Sequence, residues 1–156
     1  MMFRRTLLSM LSAVIFLLCA TSADAETFLE GVNGETVPFS SLKGKWVFIN
    51  YWAGWCGPCV DEIAELNRFY ETKKSANVAV FAVNYDALPL YKQQRLIRKF
   101  SIHYPSLKRD SLYPLHLGNI SVVPVTFVFN PEGQLATALY GGQTVDSLME
   151  VMQQAG

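Results

Sequence analysis

Trp46-Val47-Phe48-Ile49-Asn50-Tyr51-Trp52 runs without a break into Ala53-Gly54-Trp55-Cys56-Gly57-Pro58-Cys59. The first half is nearly continuous in apolar, β-forming residues, the pattern of a strand covered on both faces. The second half sets two cysteines at a spacing that can close a disulfide reversibly. If a helix begins between them, Pro58 falls in its first turn, where a missing N–H costs nothing. Cys56 then lies at the helix N-terminus, where unpaired backbone N–H groups and the helix dipole favour thiolate over thiol. Such settings bring a cysteine pKa from about 8.5 into the range of roughly 3.5 to 7.5. Cys56 is therefore the expected nucleophile. Cys59, one turn further in, is the expected resolving thiol, which attacks the mixed disulfide and releases the partner reduced. A reactive group at the C-terminal end of a buried strand also lies where ligands bind in open α/β sheets.

Other readings of the cysteines carry less. Zinc needs two more ligands at similar spacing, and the chain has three cysteines and two histidines in all, with His103 and His116 isolated from one another. A structural disulfide over so short a loop would restrict the unfolded chain little. A Cys/His hydrolase needs His103 or His116 beside Cys56, and nothing local places either there. Both histidines read as surface or packing residues. Reversible exchange leads, with no metal and no cofactor beyond the Cys56–Cys59 disulfide itself.

The N-terminal stretch points to a compartment. Arg4 and Arg5 precede an apolar to weakly polar run from Leu7 to Ala20, followed by Ala23-Asp24-Ala25, the small-x-small form that signal peptidase cuts. Residues 1–25 read as a secretory signal peptide, which serves as a membrane anchor if it is not cut. Cys19 leaves with it, since Leu18 stands where a lipidated cysteine requires a small residue. Residues 26–156 are expected to form one domain, of a length that buries about two-thirds of its unfolded surface. The whole chain balances 13 basic against 13 acidic residues. Losing Arg4, Arg5 and Asp24 leaves it slightly acidic, with no basic field for nucleic acid or anionic lipid. With Cys56 and Cys59 as its only cysteines, the exported domain cannot scramble disulfides of its own.

Strand-like and helix-like periods then alternate. Residues 28–32 and 35–39 flank Asn33-Gly34, a dipeptide suited to the positive φ angles of a tight hairpin turn. From Cys59 to about residue 74, Ile63, Leu66, Phe69 and Tyr70 recur at helical spacing. Asp61 and Glu62 are expected in the first turn, where they suit the dipole but oppose a second negative charge on Cys56. With no Lys or Arg adjoining the motif, the thiol pKa should fall moderately, as in a reductant more than a strong oxidant. Residues 77–84 form the next buried strand, 88–100 a basic amphipathic helix through Tyr91, Leu96, Ile97 and Phe100, and 104–107 a short edge strand. Pro124 stands at the mouth of a β-forming run that extends to Phe129. Asn130-Pro131-Glu132-Gly133 turns that run into 134–140. Residues 145–154 read as a terminal helix with Val145, Leu148, Val151 and Met152 inward.

Lys43-Gly44-Lys45, the apolar strand, Trp52-Ala53-Gly54-Trp55-Cys56-Gly57-Pro58-Cys59 and Val123-Pro124-Val125-Thr126-Phe127 together resemble the thioredoxin superfamily. More narrowly, they resemble the exported TlpA/ResA/DsbE-type thiol-disulfide oxidoreductases, over nearly all of residues 26–156. The resemblance implies an α/β, thioredoxin-like fold: a central mixed sheet flanked by helices, with an N-terminal β-hairpin. It implies that Cys56 is the nucleophile, Cys59 the resolving cysteine and Pro124 a cis-proline facing them. Trp55, Gly57, Pro58, Val123 and Pro124 would meet the substrate chain, with the Val123 backbone free for strand-like pairing. Asn50 stands where cytosolic thioredoxins carry a buried aspartate, and Asp86 is the candidate proton relay, set against a solvated or helix-capping role. Val125 and Gly118-Asn119-Ile120-Ser121-Val122 depart from the acidic, glycine-rich pattern of the cytochrome c maturation branch, which argues against dedicated apocytochrome reduction.

The expected protein is a monomer in the periplasm, or on the outer face of the cytoplasmic membrane, that reduces disulfides of exported proteins. It would be re-reduced by a membrane electron donor of the DsbD/CcdA type. Two alternatives are a disulfide-forming oxidant and a chaperone-like module that holds unfolded, cysteine-containing chains in the Pro124 groove.

Overall fold

All seven residues of strand β3 (Trp46–Trp52) are buried, as a continuous apolar run requires of a strand with neighbours on both edges and layers on both faces. The computed structural model describes residues 26–73 and 77–154. The signal peptide expected over 1–25, with Cys19, and the helix end expected near residue 74 lie outside the described residues. Strand β4 (Val78–Asn84) pairs with β3 in parallel, and β6 (Val125–Phe129) pairs with its other edge antiparallel. With β5 (Ser106–Leu107) and β7 (Leu135–Tyr140) the sheet runs β5-β4-β3-β6-β7. Helices flank this mixed sheet, as the resemblance implies.

Alternation along β3 divides the core in two. Phe48 and Trp52 face helix α1 (Gly57–Lys73) and meet Cys59, Ile63, Leu66 and Phe69. Leu148 of the terminal helix α3 (Val145–Gln154) joins the same cluster, with Val145, Val151 and Met152 packed against it. Val47, Ile49 and Tyr51 face the other way, onto Leu29, Leu112 and Phe127. Phe48 and Phe69 pack edge to face, with ring centres 5.0 Å apart.

Three local expectations change. The N-terminal hairpin joins β1 (Phe28–Glu30) to β2 (Thr36–Pro38), but its turn is wider than a two-residue one. The Gly31 N–H donates to the Glu35 carbonyl at 2.6 Å. Gly34 alone takes positive φ (92°) there, because the Asn33 side chain instead accepts from the Glu35 N–H in an Asx-type turn. Helix α2 (Leu90–Lys99) starts late because Pro89 occupies its N-cap. Leu96, Ile97 and Phe100 pack inward as expected, but Tyr91 is exposed and Gln93 is buried; the Gln93 amide donates to the Leu88 carbonyl at 2.5 Å. The first turn of α1 holds no acid; Asp61 and Glu62 lie in its second. Among the described residues, no helix is long and apolar enough to cross a membrane.

Candidate active site

Ala53-Gly54-Trp55 carries the chain from the end of β3 to the start of α1. Gly54 packs closely: a Cβ there would lie 3.3 Å from the Phe100 ring and 3.4 Å from Leu96, so both side chains would have to give way. Cys56 and Cys59 are disulfide-bonded, with Cα atoms 5.3 Å apart. The Cys59 N–H donates to Cys56 Sγ at 3.2 Å. It is one of the open amides of the helix N-terminus, placed to serve a thiolate on that same sulfur. Cys56 keeps 6% of its surface exposed and Cys59 none, so an incoming disulfide reaches Cys56 first.

The Val123 carbonyl lies 3.7 Å from Cys56 Sγ, and the Val123–Pro124 peptide bond is cis. The Pro124 carbonyl accepts from the Gly141 N–H at 2.9 Å, which ties this loop to the one preceding α3. Gly57 and Pro58 form the exposed first turn of α1. Trp55 is 68% exposed. Its indole N–H is shared between both oxygens of Asp86 at 3.0 Å, and its ring meets Tyr85 edge-on. The fold thus gathers Cys56, Cys59 and Val123 at one place. It leaves Asp86 at the surface as the partner of Trp55.

The buried acid of the site is Glu62, which the sequence placed in the first helical turn as a charge suited to the dipole. It is only 3% exposed, and at three residues beyond Cys59 it shares that cysteine's helix face. Its Oε1 accepts from Asn50 Nδ2 at 2.7 Å and its Oε2 from the Gln143 N–H at 2.8 Å. Asn50 Nδ2 also donates to Thr126 Oγ1 at 3.0 Å, so strands β3 and β6 hold the acid from the sheet side. Burial pushes the Glu62 carboxyl up to about 7, outweighing the two hydrogen bonds that favour its charged form. Tyr104, also buried, has its hydroxyl pushed up by burial and then by the charge on Glu62. A signal for Glu62 was present: Cys59, Glu62, Ile63, Leu66 and Phe69 form one helical stripe, and an acid on an apolar stripe is buried.

Two cysteines that close a disulfide at a helix start suffice for thiol–disulfide exchange. Among the described residues, no cluster of His, Cys, Asp and Glu could hold a metal ion.

A family model described as the AhpC/TSA family matches residues 21–138. The thiol-disulfide oxidoreductase ResA of Bacillus subtilis (strain 168) is 31% identical over 131 residues, covering 83% of this chain and 73% of the relative. Among solved structures, StoA from Bacillus subtilis superposes with a TM-score of 0.65 at 23% identity, over 81% of this chain and 96% of its own. The exposed lipoprotein thioredoxin Etrx1 from Streptococcus pneumoniae does so with 0.71 at 21% identity, over 83% and 99%. The two superpositions establish the thioredoxin-like fold. With the family match, the ResA relationship and the Cys56–Cys59 pair, the chain belongs to the AhpC/TSA family and is a thiol-disulfide oxidoreductase.

Proposed function

We propose that the protein works in the reducing direction, outside the cytoplasm, on disulfides of exported proteins. The observation that carries this is the balance of groups around Cys56. A thiolate there has the helix N-terminus and the Cys59 N–H in its favour, while a buried carboxyl sits one turn beyond Cys59 on the same face. A dithiol becomes a strong oxidant when its reduced form is stabilised as thiolate. An acid nearby works against that, so the reduced pair gives its electrons away readily.

In the forward reaction the Cys56 thiolate attacks one sulfur of a substrate disulfide. The substrate S–S bond breaks, its other sulfur leaves as thiolate and takes a proton from water, and Cys56 is joined to the substrate. Cys59 then passes its proton to the Glu62 carboxylate and attacks Cys56 Sγ. The mixed disulfide breaks, and the second substrate sulfur leaves and is protonated. The substrate gains two electrons and two protons, and the Cys56–Cys59 disulfide forms. A membrane donor of the DsbD/CcdA type, handing over two electrons with the uptake of two protons, restores the dithiol. In this reading the relay expected of Asp86 belongs to Glu62, and Asp86 orients Trp55. Trp55, Gly57, Pro58, Val123 and Pro124 contact the substrate chain.

Equilibration of the pair in glutathione and dithiothreitol buffers, beside an insulin-reduction assay, tests the direction. A potential near the roughly −270 mV of thioredoxin supports a reductant, and one near the roughly −120 mV of DsbA overturns it. Cys56→Ala separates catalysis from holding: protection of unfolded, cysteine-containing chains that survives this change would identify a binding module.

A further inference from the structure

A second concavity opens on the face of β3 that α1 does not cover. Tyr51, Arg109, Leu112, Tyr113, His116 and Ile120 line a cavity of about 320 Å³, and no carboxylate is among its lining residues. Arg109 is its permanent cation. The guanidinium is fixed from behind: Nη1 donates to the Tyr85 carbonyl at 2.7 Å, and the group lies 5.3 Å over the Tyr85 ring. Among the described residues, no carboxylate forms an ion pair with it. Most of its five N–H donors are left for something else. Tyr51 adds a neutral donor, since burial pushes its hydroxyl up to about 12 against the opposing charge of Arg109.

Two chains of contact lead from the cavity toward the loops that flank the reactive disulfide. Tyr51 pairs across the sheet with Val125, the residue after Pro124. Tyr85, beneath Arg109, is in ring contact with Trp55, the neighbour of Cys56. Tyr113 of the cavity lining, Trp55 next to Cys56 and Val122 next to Val123 are all exposed. Asp86, the acid near this path, is engaged by the Trp55 indole. A fixed, unpaired cation beside a phenol donor is complementary to a carboxylate.

We propose that this cavity is a side-chain subsite for an acidic residue of the substrate polypeptide, an Asp or Glu close in sequence to the cysteine that Cys56 attacks. The inference rests on the exchange activity proposed above and adds the class of sequence that the site prefers.

The test mixes the reduced full-length protein with disulfide-linked peptides that differ only in carrying Glu, Gln, Lys or Phe at successive positions around the cysteine, and follows exchange by stopped-flow fluorescence. At one position Glu should react about fivefold faster than Gln, the effect of one partly exposed ion pair, with Lys slowest. The advantage should shrink in about 0.5 M salt. Arg109→Gln should bring the Glu-to-Gln ratio close to one, and Arg109→Lys should keep part of it. Equal rates for Glu and Gln at every position, a preference for Phe over Glu, or a Glu advantage that persists in Arg109→Gln overturns the subsite. Should Arg109→Gln fail to fold, the peptide series and salt dependence of the unmodified protein decide alone. Exchange with no peptide at all refutes the exchange activity, and the subsite falls with it, an outcome distinct from equal rates.

Discussion

Replacing Glu62 by glutamine tests the buried acid without touching a sulfur. Burial lifts its pKa from 4.5 to about 7, so the folded protein holds this proton more tightly than the unfolded chain does. Below about pH 4.5 the acid is protonated in both states and the shift has no effect on stability. As pH rises from there to about 7 the unfolded chain releases its proton first, and the fold loses stability progressively. Above about pH 7 the loss is complete, at about 3 kcal/mol. An amide at this position cannot ionise, which abolishes the loss, but its NH₂ group must face either Asn50 Nδ2 or the Gln143 N–H. One donor is then left unpaired, at about 1–2 kcal/mol. Glu62→Gln should therefore be less stable than the parent by about 1–2 kcal/mol near pH 4.5 and more stable by a similar amount near pH 8. Urea unfolding of the oxidised protein, followed by circular dichroism across this range, reads the difference directly. With the disulfide intact neither cysteine titrates, and every other ionisable residue is common to both proteins. A stability difference that stays constant with pH would refute the buried-acid argument.

Other expectations follow from the same contacts. Asn50→Asp replaces the amide that serves Glu62 and Thr126 with a second buried carboxyl, so the two acids should hold one proton between them and the variant should lose about 3 kcal/mol or more above neutrality. Equal stability of that variant near pH 5 and pH 8 would show that the two groups do not interact. Phe69→Ala removes a fully buried ring packed edge-on to Phe48 and should destabilise by about 3–5 kcal/mol in chemical denaturation; a loss under about 1 kcal/mol would mean the site collapses freely around the cavity. Asp86→Asn keeps an oxygen within reach of the Trp55 indole, so the pH profile of disulfide exchange should stay in place. Movement of that profile would return the proton relay to Asp86.

The sheet was legible in the sequence because its central strands have to be. A strand with partners on both edges and layers on both faces leaves no place for polar alternation, and Trp46–Trp52 and Val125–Phe129 carry that constraint in their side chains. The reactive pair was legible because its spacing, its proline and its place after β3 serve one chemistry. Glu62 escaped because two physical readings of one acid compete. Near a helix start a carboxylate suits the dipole, whereas on the stripe of Cys59, Ile63 and Leu66 it must be buried. What made burial tolerable came from residues distant in the chain, Asn50 and Gln143, which local spacing does not bring together. Tyr91, expected inward, is exposed while Gln93 is buried for a related reason. The Leu88 carbonyl, left open ahead of Pro89, is met by the Gln93 side chain, a local demand stronger than hydrophobic period.

The entry to α3 has a bearing on how the protein is made. The amides of Gln143 and Val145 go to Glu62 and Glu65, both on α1. Synthesis runs from the N-terminus, so Cys56 and Cys59 leave the ribosome well before the segment that completes the hydrogen bonds of Glu62. A nascent chain already carries both thiols and Glu62 while the Gln143 amide that helps hold the acid is still to come. The segment around residue 143 is in that sense a late-arriving support of α1, and a truncation or a bulky fusion near residue 143 should be scored first by its redox behaviour.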